Sequence, residues 1–147
     1  MGIRAIAAGD RDAWTALWAA YLDFYETQLP AQVFDETWRR LHDPAEPVRG
    51  ALALDASGAP VGLVHWIFHR TCWSIADSCY LQDLYVSPQA RAGGHGRGLI
   101  EHVAGKAREA GAARLYWTTH ESNETAQRLY DRLAARSGFI QYRMALG

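Results

Sequence analysis

The chain between residues 84 and 99 reads Leu84-Tyr85-Val86-Ser87-Pro88-Gln89-Ala90-Arg91-Ala92-Gly93-Gly94-His95-Gly96-Arg97-Gly98-Leu99. A strand pattern ends at Ser87-Pro88, a helical pattern begins near Gly94, and four of the six residues from 93 to 98 are glycines. Glycine permits a positive φ and a close backbone approach to a ligand, and the first N–H groups of a helix are unpaired. With Arg91 and Arg97 beside them, these N–H groups predict a phosphate or pyrophosphate site.

Two common nucleotide-binding loops do not fit this spacing. A Walker A loop ends in Gly-Lys-Ser/Thr, whereas Gly96 is followed by Arg97-Gly98. A dinucleotide-binding turn has a glycine three residues after its second glycine, and here that residue is Leu99. The pattern that remains is Arg91-x-x-Gly94-x-Gly96, preceded by Val86-x-Pro88. It resembles the acetyl-CoA loop of the GNAT (GCN5-related N-acetyltransferase) superfamily.

A second motif lies downstream, on a predicted helix that reads Asn123-Glu124-Thr125-Ala126-Gln127-Arg128-Leu129-Tyr130. Asn123 and Tyr130 are seven residues apart, which is two helical turns, so they lie along one stripe. By itself, Tyr130 on an apolar stripe is typical of a core residue. Together with the glycine loop, the motif resembles the asparagine, alanine and tyrosine signature of the same superfamily.

Further residues resemble one subgroup of the superfamily, which holds the spermidine/spermine and the histone-and-polyamine acetyltransferases. They are Tyr80-Leu81-Gln82-Asp83-Leu84-Tyr85-Val86 and Trp117-Thr118-Thr119-His120-Glu121-Ser122-Asn123. In the former enzymes a glutamate just before the aspartate is a proposed base. This chain has Gln82 at that position, and an amide cannot take up the proton.

The resemblance implies a role for each matching position. The main chain of Leu84, Tyr85 and Val86 would pair with the pantetheine arm of acetyl-CoA and polarise the thioester carbonyl. Asn123 and Ala126 would lie at the cofactor arm, and Tyr130 would donate a proton to the departing thiolate. The pyrophosphate would be held by Arg91 and by the backbone amides of the loop, which are those of Ala92, Gly93, Gly94, His95, Gly96 and Arg97.

The acceptor amine has to lose a proton, because an alkyl ammonium has a pKa near ~10.4 and arrives charged. The candidate proton acceptors are His120, Glu121 and Asp83. We rank His120 and Glu121 first, since His120 follows a predicted strand end and imidazole titrates near neutrality. Gln82 and Asp83 are assigned to the substrate end of the site.

The function expected from this resemblance is transfer of acetyl from acetyl-CoA to a primary amine, by direct attack on the thioester. The acceptor is left open between a small amine or polyamine and a protein lysine or N-terminus. The alternative is an acyl-CoA-binding sensor or assembly module without turnover, and another acyl-CoA reaction is a third reading. Retention of Tyr130 favours the enzyme, because a sensor has no use for a proton donor to the thiolate.

Hydrophobic periodicity predicts an α+β (mixed α/β) chain in the order β-α-α-β-β-β-α-β-α-β. The resemblance adds a mostly antiparallel, twisted sheet with helices on both faces, and residues 1–147 are expected to form one domain. Asp10 is the predicted N-cap of the first helix and Pro30 its stop. The predicted strands are Ile3–Ala8, Val48–Asp55, Pro60–Arg70, Asp77–Val86, Arg114–Thr119 and Gly138–Leu146, and the later helices Phe34–Leu41, Gly94–Ala110 and Asn123–Arg136.

Composition excludes several classes of protein. Among 147 residues, 12% are aromatic and the formal net charge is −1, which argues against disorder and against generic nucleic-acid binding. No apolar run is long enough to cross a membrane, so a cytoplasmic protein is expected.

The histidines, the cysteines and the family resemblance give three further expectations. His65 and His69 lie four residues apart on a strand, too far to share an ion, and no metal is expected. Cys72 and Cys79 are expected to be reduced, and a homodimer is expected from the family resemblance.

Overall fold

The computed structural model describes residues 2–147, which follow the order β1-α1-α2-β2-β3-β4-α3-β5-α4. The strands are β1 Gly2–Ala5, β2 Val48–Leu54, β3 Pro60–His69, β4 Ser78–Val86 and β5 Arg114–Tyr116. The helices are α1 Arg11–Phe24, α2 Ala31–Leu41, α3 His95–Glu109 and α4 Glu124–Leu133. The mixed α+β class predicted from the sequence is confirmed.

The five strands form one sheet in the order in which they occur along the chain. Strands β1 to β4 are antiparallel neighbours, whereas β4 and β5 are parallel. A parallel pair requires a crossover connection, and α3 supplies it. Helix α3 is the next long element after β4, and the glycine loop connects the end of β4 to the start of α3.

The core is built from one face of α1 against the middle of the sheet. Trp14, Leu17, Trp18 and Leu22 recur at helical spacing and are buried against Leu52 and Leu63. Helix α3 packs through Leu99, Ile100, Val103 and Ala107. A Cβ at Gly62 of β3 would lie 3.2 Å from Leu99 Cδ1, so this glycine allows β3 and α3 to approach closely.

The structure corrects the predicted ends of α1. Asp10 precedes α1, but its side chain does not cap the helix; it accepts a hydrogen bond from Ala7 N–H and pairs with Arg4 at 2.6 Å. The helix ends at Phe24, well before Pro30, and Glu26 adopts the left-handed conformation with φ 52°. Pro30 instead precedes α2, for which its fixed φ is suitable.

The predicted last strand, Gly138–Leu146, is wrong for the described chain, in which α4 is the last regular element. Gly138 turns the chain with φ 84°, and the amide of Phe139 donates to Ser137 Oγ. The apolar alternation that predicted the strand is present, but a strand forms only where another one pairs with it.

Residues up to Trp117 form one compact unit, and Thr118–Gly147 form a second. The first unit contains the sheet with α1 to α3, and the second contains α4. No helix among residues 2–147 is long and apolar enough to cross a membrane. Cys72 and Cys79 are free thiols, the first exposed and the second buried.

Candidate active site

The loop between β4 and α3 contains two left-handed residues. The chain leaves β4 at Val86, makes a short 3-10 turn at Pro88–Ala90, and enters α3 at His95. Ala92 has φ 73° and Gly94 has φ 80°, with Gly94 directly before the helix. Left-handed residues turn the backbone sharply, and neighbouring N–H groups at such turns can line an anion-binding concavity. A positive φ at a non-glycine residue such as Ala92 is a strained conformation typical of functional loops.

The N–H groups of this loop are available to a ligand. The first helical hydrogen bond of α3 runs from Gly98 N–H to the Gly94 carbonyl oxygen at 3.0 Å. Within residues 2–147, no hydrogen bond uses the N–H groups of Ala92 to Arg97. A Cβ at Gly94 would meet nothing within 4 Å, so the space above the loop is open. A row of free donors at a helix N-terminus beside open space fits a pyrophosphate group.

The two loop arginines have different surroundings. Arg91 donates through Nε to the Val86 carbonyl oxygen at 3.1 Å, which ties its guanidinium to the end of β4. Arg97 pairs through Nε with Glu101 at 2.8 Å, one helical turn further on. Arg91 therefore keeps its full charge for an anion, whereas Glu101 offsets the charge of Arg97.

The ring of His95 is an unexpected part of this loop. It is buried, with 7% exposed, and its Nδ1 has no hydrogen-bond partner in the described chain. The ring lies beneath Gly93, because a Cβ there would come within 3.2 Å of it. The sequence predicted only a backbone role for His95.

One edge of β4 is left unpaired where the resemblance predicts contact with the pantetheine arm. The pairing with β5 covers three residue pairs, from Ser78 to Tyr80, whereas the pairing with β3 continues to Val86. Leu84, Tyr85 and Val86 thus lie beyond the paired stretch of β5. The role of these three residues at the pantetheine arm stays a prediction.

A β-bulge precedes this open stretch. His65 pairs with Asp83 and Trp66 pairs with Leu81, so Gln82 is the extra residue on β4. Gln82 is exposed, whereas the Asp83 side chain is 13% exposed. A bulge changes the direction of the side chains that follow it. The Asp83 side chain therefore points toward the interior, and not to the face of the sheet that regular alternation along β4 would give it.

Asp83 accepts a hydrogen bond from a buried histidine. His65 Nδ1 lies 2.9 Å from Asp83 Oδ2, and Trp14 Nε1 donates to His65 Nε2 at 2.9 Å. The Tyr21 phenol is close enough to Asp83 for the charge of the carboxylate to act on it. Burial raises the pKa of the Tyr21 phenol well above its usual value, and the negative charge of Asp83 raises it further.

A second tyrosine, Tyr25, lies within electrostatic reach of this carboxylate, and Tyr80 lies near Tyr21. Burial raises the pKa of Tyr25, and the charge of Asp83 adds to the effect. Tyr80 lies close enough to Tyr21 to act on it electrostatically, and its ring stacks on Tyr116 with centroids 4.9 Å apart. A carboxylate among phenol rings is a suitable environment for an organic cation.

Sequence reasoning missed the contributions of Trp14, Tyr21 and His65. The available signal was His65 itself, a polar residue inside the apolar run Leu63-Val64-His65-Trp66-Ile67. A polar group buried in such a strand needs a hydrogen-bond partner. The partner lies eighteen positions away on β4 and could be found only once the register was known.

The remaining predicted residues lie in the second unit. Asn123 is the N-cap of α4, and its Oδ1 accepts from Ala126 N–H at 3.3 Å. His120 and Glu121 are exposed in the turn before α4, where His120 Nδ1 interacts with Ser122 Oγ at 2.6 Å. Tyr130 is half-buried on α4. Their catalytic and cofactor-binding roles stay predictions.

Comparison with known proteins gives consistent matches. The model of the Acetyltransferase (GNAT) family matches residues 12–135. The chain is 38% identical over 142 residues to D-amino-acid N-acetyltransferase HPA3 of Saccharomyces cerevisiae (strain ATCC 204508 / S288c), covering 96% of this chain and 88% of that protein. It is 31% identical over 90 residues to the thialysine N-epsilon-acetyltransferase of Caenorhabditis elegans, covering 58% of this chain and 56% of that protein.

Solved structures share the fold. The crystal structure of a probable acetyltransferase superposes with a TM-score of 0.87 at 23% identity, covering 100% of this chain and 99% of that one. Identity at this level supports the fold alone, so the assignment of the reaction depends on the sequence matches and on the site.

Proposed function

Since this chain belongs to the acetyltransferase (GNAT) family and is an N-acetyltransferase, we propose that it transfers acetyl from acetyl-CoA to a primary amine held at Asp83. The observation that carries this proposal is the Asp83 carboxylate, which is 13% exposed, hydrogen-bonded to the buried His65, and close enough to Tyr21 and Tyr25 for its charge to act on both phenols. It directly precedes Leu84–Val86, the stretch of β4 beyond the paired part of β5.

The glycine loop and β4 fit the cofactor that the family uses. The free N–H groups from Ala92 to Arg97 would hold the pyrophosphate, and Arg91 would add charge to it. The backbone of Leu84 to Val86 would hold the pantetheine arm. When bound, acetyl-CoA supplies the thioester carbonyl that the neutral amine attacks.

Asp83 is the residue that we propose for the acceptor amine. Its carboxylate attracts the ammonium form, and the surrounding tyrosine rings favour the same charge. Asp83 then accepts the proton that the amine has to lose, and Tyr130 acts as the general acid toward the thiolate. His120 and Glu121 are the competing proton acceptors, but both are exposed, whereas the Asp83 side chain is 13% exposed.

We propose a small-molecule amine of the amino-acid type as the acceptor class. The two curated relatives are named for D-amino acids and for thialysine, both of which carry primary amines. A polyamine is less favoured, because the exposed residue of the bulge, Gln82, has no charge for a second ammonium group. We also propose that the enzyme is a homodimer, that it is cytoplasmic, and that each chain forms one domain.

A thiol-release assay with acetyl-CoA over a panel of amines tests this function. The panel holds D- and L-amino acids, thialysine, spermidine, an aminoglycoside and a peptide with a free N-terminus. We expect turnover with amino-acid amines, and a loss of kcat/KM of about 10²-fold or more in Asp83→Asn. Glu109→Gln, which neutralises an exposed carboxylate at the end of α3, is the control and should match the parent.

Two results would contradict the proposal. Acetyl-CoA binding without thiol release for any amine would favour the sensor reading. If Asp83→Asn were fully active and His120→Ala or Glu121→Gln lost activity, the proton acceptor would be a residue of the second unit and not Asp83.

A further inference from the structure

A histidine that is 3% exposed lies behind the proposed acceptor carboxylate, and its two ring nitrogens have different partners. Nε2 of His65 faces Trp14 Nε1, and Nδ1 faces Asp83 Oδ2, each at 2.9 Å. An indole N–H is only a donor, so Nε2 has to be the acceptor. The proton of the neutral ring then lies on Nδ1, which donates to Asp83.

A second proton on His65 has no place in this arrangement. An imidazolium carries N–H on both nitrogens, and the Nε2 proton would point at the indole N–H of Trp14. The ring cannot turn away easily, because Trp14 and Trp18 pack on it with centroids at 6.1 and 5.6 Å. On the β2 side, a Cβ at Gly50 would come within 3.2 Å of the ring.

We propose that His65 is a positioning residue, held neutral by Trp14 so that Asp83 stays oriented and keeps its negative charge for the acceptor amine. This inference rests on the role of Asp83 in the proposed function. An imidazolium at His65 would form an ion pair with Asp83 and compete with the ammonium group of the acceptor. A neutral ring orients the carboxylate without neutralising it.

The groups that face Asp83 agree with this role. Helix α1 contributes Tyr21, the residue after its end contributes Tyr25, and β3 contributes His65. Among residues 2–147, no lysine or arginine side chain forms an ion pair with Asp83. The acceptor ammonium is then the cation that completes this site.

Nitrogen-15 NMR of the imidazole rings in the ligand-free full chain tests the tautomer without any turnover. We expect the parent His65 to show the Nδ1–H form. In Trp14→Phe the preference for this form should weaken, because Nε2 no longer faces an N–H donor. A parent ring that carries its proton on Nε2, or a proton on each nitrogen, would overturn the proposal.

The pH dependence of kcat/KM tests the consequence for catalysis. In Trp14→Phe the acid limb should move to higher pH, with the KM for the amine raised at least several-fold on that limb, because Nε2 of His65 no longer faces an N–H donor. Trp18→Phe is the matched control, because it also removes a buried indole from α1 while its Nε1 has no partner in the described chain. Its acid limb should equal that of the parent. Equal acid limbs in both variants would show that Trp14 only fills the core.

Two substitutions of His65 separate orientation from packing. His65→Asn keeps an N–H donor near the Nδ1 position, whereas His65→Leu keeps apolar volume and loses the donor. We expect Asn to retain at least ten times more kcat/KM than Leu, and equal activities would overturn the positioning role. If Asp83→Asn were fully active while the NMR result held, the proposed function would fail and the tautomer assignment would stand.

Discussion

Gly94 is the residue at which the geometry of the cofactor loop depends most directly on the absence of a side chain. Its φ of 80° lies in the left-handed region, where an L side chain costs about 1 kcal/mol, although nothing lies within 4 Å of a Cβ there. Gly94→Ala should therefore disturb the loop by backbone strain and not by a clash. We expect at least a fivefold rise in the Kd for coenzyme A, measured by calorimetry.

Gly105 provides the control for this prediction. It lies in the middle of α3, and a Cβ there would also meet nothing within 4 Å. Gly105→Ala should stabilise the protein by about 0.5–1 kcal/mol, because glycine weakens a helix interior, and should leave the Kd unchanged. Equal affinities in all three proteins would mean that the pyrophosphate binds elsewhere.

Tyr130 is predicted to be the general acid. Tyr130→Phe removes only the hydroxyl, so the packing of its ring on α4 should survive. Coenzyme A has a thiol pKa near ~8.5 and leaves tolerably without help, so the expected loss of kcat is near the lower end of the ~10²–10⁴-fold range. The Kd for acetyl-CoA should change little, and the alkaline limb of the pH–rate profile should shift. A variant with the parental kcat, with chemistry shown to be rate-limiting, would make Tyr130 a packing residue.

At the scale of elements, the junction of β1 with α1 depends on an ion pair. Arg4 donates to both carboxylate oxygens of Asp10, and this bond lowers the pKa of Asp10 to about 2. Since the folded-state pKa lies below the ordinary value of 3.8, the stabilisation is present above pH ~4 and is lost as the pH falls toward 2. Arg4 is 44% exposed, so solvent screening reduces the contribution to about 1 kcal/mol.

Urea denaturation of Asp10→Asn measures this contribution. We expect the variant to be about 1 kcal/mol less stable than the parent at pH 6, and the difference to shrink as the pH falls through about 2, the pKa of Asp10 in the folded protein. Asp12→Asn removes an exposed carboxylate from the first turn of α1 and should show no such pH-dependent difference. A constant difference between Asp10→Asn and the parent at both pH values would contradict the ion-pair explanation.

The sequence predicted elements well where their signal is local. Apolar residues at helical spacing located α1 and α3, and hydrophobic periodicity also located β2 and β3. The end of α1 could not be predicted, because Glu26 occupies the left-handed position where glycine is usual. The amides of Glu26 and Thr27 donate to the Asp23 and Leu22 carbonyl oxygens, at 3.0 and 2.9 Å, and this pairing closes the helix without a glycine signal.

The candidate site was predictable only in part for a related reason. The glycine loop is contiguous in sequence, so its motif identified the cofactor end of the site directly. The acceptor end combines Trp14, His65 and Asp83 from three elements, and the bulge at Gln82 interrupts the regular alternation of side chains along β4. Long-range pairing of this kind depends on strand register, which local patterns do not contain.

At the scale of the whole molecule, the C-terminal segment carries exposed apolar side chains that need a partner. Every second residue from 140 to 146 is apolar, and each is at least 79% exposed. They are Ile140, Tyr142, Met144 and Leu146, with Phe139 next to them and also exposed. A contiguous apolar surface of this kind marks an interaction site, and its period of two is that of a strand with one apolar face.

The homodimer expected from the sequence would cover this segment, with residues 139–146 pairing as a strand with a second copy. We expect light scattering to give twice the mass of one chain, and amide hydrogen exchange to be slow in this segment, although it has no strand partner within the described chain. Ile140→Lys places a charge on the apolar face and should raise the dimer Kd at least tenfold. Gln141→Lys adds the same charge on the other face and should leave the dimer intact. In the proposed dimer, the amides of residues 139–146 are protected by pairing with the second copy. A parent protein that is monomeric at all concentrations and exchanges these amides quickly would contradict the dimer.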